Sequence, residues 1–210
     1  MKKSLYSLML SNEVVAEIDS AAHRLGTNRS ALINRILAEW ASVVTPEKRI
    51  NDIFSSIQSF FGEQSDIVPL VTPNQPTMML KSCLNFKYRP TVRYEVELWC
   101  KDGRIFGRIC VILRTTSPSL IDAIHDFFKS FLLIEASVLP FEPKYELLQG
   151  KFTRSITPSE GLSGAELSFA ISKYISLLDT MLKKYICCEA DIGDLQKMYI
   201  SGIEKCGMMI

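Results

Sequence analysis

The residues best suited to chemistry are few and scattered. The chain holds six cysteines and two histidines. A zinc site needs several convergent Cys, His or carboxylate ligands. His23 and His125 stand about a hundred residues apart, and no CxxC pair brings two thiols together. Cys83, Cys100 and Cys110 fall in strand-like segments, where a free cysteine acts as a small core residue. Cys187 and Cys188 are adjacent, with Cys206 further on. Lysines 183 and 184 nearby are the one argument for reactive thiols there. His125–Asp126 suggests acid–base work, but no positioned nucleophile accompanies it. Gly161-Leu162-Ser163-Gly164 sits between loop and helix. A nucleophile elbow needs a strand before the serine, so Ser163 reads as a helix cap. No Walker or dinucleotide glycine loop occurs. The expectation is a protein that is not an enzyme and has no metal or cofactor.

Charge is equally reserved. There are 24 Lys and Arg against 23 Asp and Glu, for a formal net charge of +1. A nucleic-acid partner would have to meet a local cationic patch rather than a basic molecule. Lys2 and Lys3 precede a short apolar run that Ser7 breaks, and Glu13, Glu17 and Asp19 follow. This argues against an export signal. No run approaches about 18 uninterrupted apolar residues, so no membrane span is expected. The expected compartment is the cytoplasm, with reduced thiols.

Three regions follow from the elements. Residues 1–45 begin with an alternating stretch at 4–10, in which Tyr6, Leu8 and Leu10 oppose Leu5, Ser7 and Met9. That period predicts a short strand. Ser11 is an N-cap for a helix carrying Val14, Val15, Ile18, Ala22 and Leu25. Gly26 ends it, and Thr27 and Asn28 offer a cap for a second helix through Leu32, Ile33, Ile36, Leu37 and Trp40. Residues 46–76 hold a further helix at 47–61 and then a linker, since Pro69, Pro73 and Pro76 crowd residues 62–77.

Residues 77–210 are expected to be an α+β domain, a small antiparallel sheet packed with helices. Its clearest signal is Asp102–Gly103, a type I′ turn dipeptide. It sets strands 91–101 and 104–114 in a register with Trp99 opposite Phe106 and Glu97 opposite Arg108. Val92, Tyr94, Val96 and Leu98 then share the other face with Ile105, Ile109, Val111 and Leu113. Trp99 and Phe106 read either as a cross-strand pair or as an interface or ligand platform. A strand near 79–88, a weaker one near 145–155, and helices near 118–134, 163–187 and 191–205 complete the domain.

A lone strand and two short amphipathic helices cannot bury a core by themselves. A symmetric dimer pairing two such strands would solve this. Residues 5–40, LYSLMLSNEVVAEIDSAAHRLGTNRSALINRILAEW, resemble the ribbon-helix-helix family of the Arc and Met repressors. The resemblance implies a homodimer whose two-stranded ribbon enters the major groove of double-stranded DNA. It places Tyr6, Leu8 and Leu10 inside and turns Lys3, Leu5, Ser7 and Met9 toward the bases. It assigns phosphate contacts to Asn28, Arg29 and Ser30 at the start of the second helix. Family ribbons usually present polar or basic side chains, whereas Leu5 and Met9 are apolar here and suited to thymine methyls. The function implied is a dimeric transcriptional regulator, a repressor by analogy. Its residues 77–210 would oligomerise or respond to a small-molecule or protein effector. The alternative is an antitoxin-like or partition-like adaptor whose C-terminal part binds a partner protein.

Overall fold

The computed structural model describes residues 5–62, 66–70, 77–159 and 161–206. In chain order the elements are α1 (Asn12–Arg24), α2 (Arg29–Trp40), α3 (Pro46–Phe60), β1 (Val68–Leu70), β2 (Thr77–Cys83), β3 (Thr91–Lys101), β4 (Arg104–Arg114), α4 (Pro118–Val138), β5 (Tyr145–Leu148), β6 (Lys151–Ile156), α5 (Gly164–Ile186) and α6 (Ile192–Cys206). The fold is α+β. The strands form one sheet in the order β1-β2-β3-β4-β6-β5, and every neighbouring pair is antiparallel. Among the described residues no helix is long and apolar enough to cross a membrane.

The central hairpin has the register its turn dictates. Asp102 and Gly103 have φ of +51° and +79°, and a type I′ turn needs positive φ at both central positions. Lys101 pairs with Arg104, Trp99 with Phe106 and Glu97 with Arg108. Val92, Tyr94, Val96 and Leu98 are all buried on the inner face, with Ile105, Ile109 and Val111 beside them. Gly107 lies opposite Leu98. A Cβ there would sit 2.4 Å from the Glu97 carbonyl oxygen and 2.6 Å from a Leu98 methyl. The strands approach too closely for any side chain at that point.

The strand expected near 79–88 ends at Cys83, before a turn in which Tyr88 and Arg89 both take positive φ. The single strand expected near 145–155 is a hairpin instead, β5 and β6, with Leu148 paired to Lys151 across Gln149–Gly150. Gln-Gly is outside the strong turn vocabulary of Asn-Gly and Asp-Gly, so this turn is not marked in the sequence.

Helices α3, α4, α5 and α6 contribute to one core with the inner sheet face. Phe127, Phe128 and Phe131 of α4 stack among themselves and against Phe152, whose ring centroid is 4.3 Å from that of Phe128. Helix α5 starts in a reciprocal capping box. The Glu166 amide donates to the Ser163 hydroxyl at 3.2 Å, and the Ser163 amide donates back to the Glu166 carboxylate at 2.9 Å. Helix α3 belongs to this core too, since Ile53, Ile57 and Phe61 are buried in it together with Ile67. The stretch expected as a helix and linker therefore supplies a core helix and the edge strand β1. Its amphipathic stripe requires a cover, which α5 and β3 provide.

The N-terminal helices are different. Ser11 accepts from the Val14 amide at 3.4 Å, and Asn28 accepts from the Ala31 amide at 2.9 Å. Both caps are where the sequence places them. Within residues 5–44 only Ala22 and Leu32 are buried, and neither joins the main core. Residues 5–10 form no strand within the single chain. A strand needs another backbone for its ladder, and among the described residues no segment pairs with them.

Candidate nucleic-acid interface

Leu5–Ser11 runs as exposed, irregular chain into α1. Leu5 and Met9 are fully exposed, whereas Leu8 and Leu10 are 55% and 40% exposed. Ser7 is exposed between them, and Lys3 lies outside the described residues. Asn28, Arg29 and Ser30 are contiguous at the start of α2, and all three are exposed. Asn28 satisfies the third amide of the helix. The first two, on Arg29 and Ser30, have no intrahelical acceptor by construction. They lie at the positive end of the helix dipole, which favours negative charge.

The Arg29 side chain is already occupied. Its Nε donates to Asp19 Oδ1 at 2.6 Å, and its second nitrogen reaches Oδ2 of the same carboxylate. This fork joins α1 to α2 across the Gly26 turn. The hydrogen bonds to Arg29 hold the Asp19 carboxyl below its ordinary range. The start of α2 thus offers two open amides and a guanidinium shared with a carboxylate. Asp19 is a residue that sequence reasoning missed. Its only signal was position, an acid one helix before an arginine, visible once the two helices are folded against each other.

The second missed group is buried. Glu135 and Arg154 are both 0% exposed. Glu135 Oε1 accepts from Arg154 Nε at 3.0 Å and from the Tyr199 hydroxyl at 2.7 Å. Its Oε2 accepts from the Tyr145 hydroxyl at 2.8 Å and the Tyr174 hydroxyl at 3.5 Å. The Arg154 guanidinium also lies 4.7 Å over the Tyr174 ring. The sequence did carry a hint, for Glu135 falls among Phe131, Ile134 and Val138 of α4, and Arg154 shares strand parity with Phe152 and Ile156. The cluster ties α4, α5, α6 and the β5–β6 hairpin together. It contains no nucleophile, and its carboxylate oxygens are fully engaged, so its chemistry is structural.

Burial, and then the Glu135 carboxylate, push the Tyr145, Tyr174 and Tyr199 hydroxyls above the ordinary tyrosine range. Burial and Asp179 do the same to Tyr94, which donates to Asp179 at 2.9 Å. A folded-state value raised above the unfolded one gives stability that is complete below the unfolded value of about 10 and is lost as pH rises above it. In an absorbance titration at alkaline pH, these four tyrosines should ionise only together with unfolding. Smooth ionisation of all seven tyrosines with the far-ultraviolet dichroism intact would contradict the cluster.

The remaining candidates do not assemble. Asp126 pairs with Lys129 at 3.1 Å, and His125 Nδ1 is buried without a hydrogen-bond partner. Cys187 donates weakly to the Asn85 carbonyl at 3.8 Å, and Cys188 is exposed. Among the described residues no group of three or more His, Cys, Asp or Glu is placed to hold a metal. Compared with protein-family models, with curated proteins and with solved structures, the chain matches none of them.

Proposed function

We propose that residues 5–44 are a ribbon-helix-helix-type module and that the protein is a dimeric DNA-binding transcriptional regulator. The observation that carries this reading is the mismatch between good local structure and missing burial. Both helices are capped and joined by a tight turn, yet Val14, Leu25, Ile36, Leu37 and Trp40 remain exposed together with the apolar segment before them. Scattered exposed apolar residues are ordinary, but this many on a small unit with only two buried residues points to an association surface. A second copy supplies both a ladder partner for residues 4–10 and a cover for the helices. The ribbon then presents Lys3, Leu5, Ser7 and Met9 to base edges, and Asn28, Arg29 and Ser30 bracket a phosphate.

The test is anisotropy of labelled duplexes over a salt series, beside light scattering. A dimer should bind duplex DNA at low salt. Replacing Arg29 by Ala should weaken all sequences alike, and the slope of log affinity against log salt should become shallower by about 0.9 for each phosphate no longer neutralised. Replacing Leu5, Ser7 or Met9 should instead change the preferred sequence, by about 1–3 kcal/mol for each good base pairing removed. Asp19→Asn should strengthen non-specific binding by releasing Arg29. A stable monomer at micromolar concentration, or a dimer without duplex affinity, would remove this function. The latter result would leave an association module and give the adaptor reading the lead.

A further inference from the structure

The sheet has two faces, and the core covers one of them. On the other face the side chains are exposed or half-buried, apart from Cys110 and Thr153, which touch at 3.5 Å. The strand parity fixes what this face carries. Outward cations are Arg104, Arg108 and Arg114 on β4, Arg93 and Lys101 on β3, Lys81 on β2 and Lys151 on β6. Outward carboxylates are Glu95 and Glu97 on β3 and Glu146 on β5. Among the described strand residues, seven cations thus oppose three carboxylates on this face, in a chain whose totals are 24 and 23. The strands of this face are basic in a chain that is nearly neutral.

The distribution is also uneven along the strands. In the middle, Glu97 binds Arg108 at 2.8 Å and Glu95 binds Arg93 at 2.8 Å, so these charges largely cancel. The excess lies toward the two ends, with Lys101 beside the Asp102–Gly103 turn and Lys81, Arg114 and Lys151 at the far end. Trp99 and Arg93 are six residues apart on β3, about 20 Å at ~3.4 Å per residue. Next to the turn, Trp99 is 45% exposed and Phe106 half-buried across from it. They border an open depression of about 470 Å³ that continues past Arg108 to Ser155 and Thr157.

We propose that this sheet face binds a single-stranded nucleic acid. Phosphates would meet the cationic ends, and unpaired bases would stack on Trp99 and Phe106. The pairing of basic excess with accessible aromatic rings selects this occupant. A duplex keeps its base faces inside and would leave both rings unused, whereas a single strand uses rings and cations together. The shallow, open shape suits a chain crossing the strands better than an enclosed small molecule. The inference is independent of the duplex-binding reading, because it uses no residue of the N-terminal unit.

The test uses the full chain with fluorescein-labelled oligouridylate and oligodeoxythymidylate, and a random duplex as comparison. A Trp40→Phe background leaves Trp99 as the single tryptophan. Adding either oligonucleotide should quench its emission, and affinity should fall with salt. Trp99→Ala should weaken single-strand binding by roughly tenfold. Lys101→Gln with Lys151→Gln, both on the surface-facing rows, should weaken it and flatten its salt dependence, with the circular dichroism unchanged. Arg29→Ala should leave it intact. The proposal is overturned if neither oligonucleotide binds at low salt, or if binding survives Trp99→Ala and the lysine pair undiminished. It is equally overturned if Trp99 emission changes on dilution without ligand, since the face would then be covered by a second copy.

Discussion

Replacing Glu135 by leucine should destabilise the protein by about 3–5 kcal/mol, because Arg154 would be left charged and buried without the carboxylate that binds its Nε. Both side chains are fully buried and joined at 3.0 Å. Three tyrosine hydroxyls would also lose the acceptor they share. Arg154→Met should be less severe, since the three hydroxyls still donate to the remaining carboxyl group. The double substitution Glu135→Leu with Arg154→Met should recover part of the loss by removing both charges from the interior. Recovery should be incomplete, as each buried hydroxyl without a partner costs about 1–3 kcal/mol. Urea unfolding of the four proteins measures this, provided the dependence on denaturant stays constant across the set. A Glu135→Leu protein within about 1 kcal/mol of the parent would mean that water reaches the cluster, because only solvation could offset so large a penalty.

That cluster also shows why part of the molecule was legible in the sequence and part was not. Local rules wrote the central hairpin. Asp102–Gly103 fixes the turn, and strict alternation fixes both faces from Thr91 to Arg114. The caps at Ser11, Asn28 and Ser163 were readable for the same reason, since each depends on residues within one turn. Glu135 and Arg154 lie 19 residues apart and on different elements. Each one's own element hints only that its position turns inward, so only the assembled helix layer shows that they meet. Ile50, Ile53, Phe54, Ile57 and Phe60 give α3 an apolar stripe, but nothing local says whether that stripe faces a partner chain or the C-terminal sheet. The prolines after it suggested a boundary. The structure instead places Ile53, Ile57, Phe61 and Ile67 in the sheet's own core. The candidate site was legible in its caps and parity, while the Asp19–Arg29 fork depends on how two helices pack.

Parity gives the sharpest test of the N-terminal proposal. Leu8→Glu with Leu10→Glu should abolish dimer formation and duplex binding together, whereas Leu5→Glu with Met9→Glu should leave the dimer intact and change only the DNA contact. All four positions are apolar and at least 40% exposed in the single chain. None joins the main core, so neither double variant should disturb unfolding of the C-terminal body. Any difference between the pairs must come from association. Fully burying a leucine contributes about 1.5–3 kcal/mol. Leu8 and Leu10 are about half exposed in the single chain, so two inward leucines on each of two protomers contribute on the order of 3–6 kcal/mol to the dimer by the same measure. Burying carboxylates in their place adds a further penalty. Together these terms are comparable with the whole free energy of a micromolar-to-nanomolar association, about 8–12 kcal/mol. Outward glutamates would face phosphates and bases instead, repelling DNA while the ribbon ladder stays paired. Light scattering separates the two cases by mass, and anisotropy reports the DNA. If both pairs give monomers, or neither does, the alternation from Leu5 to Leu10 does not set an inside and an outside, and the ribbon is not what joins the chains.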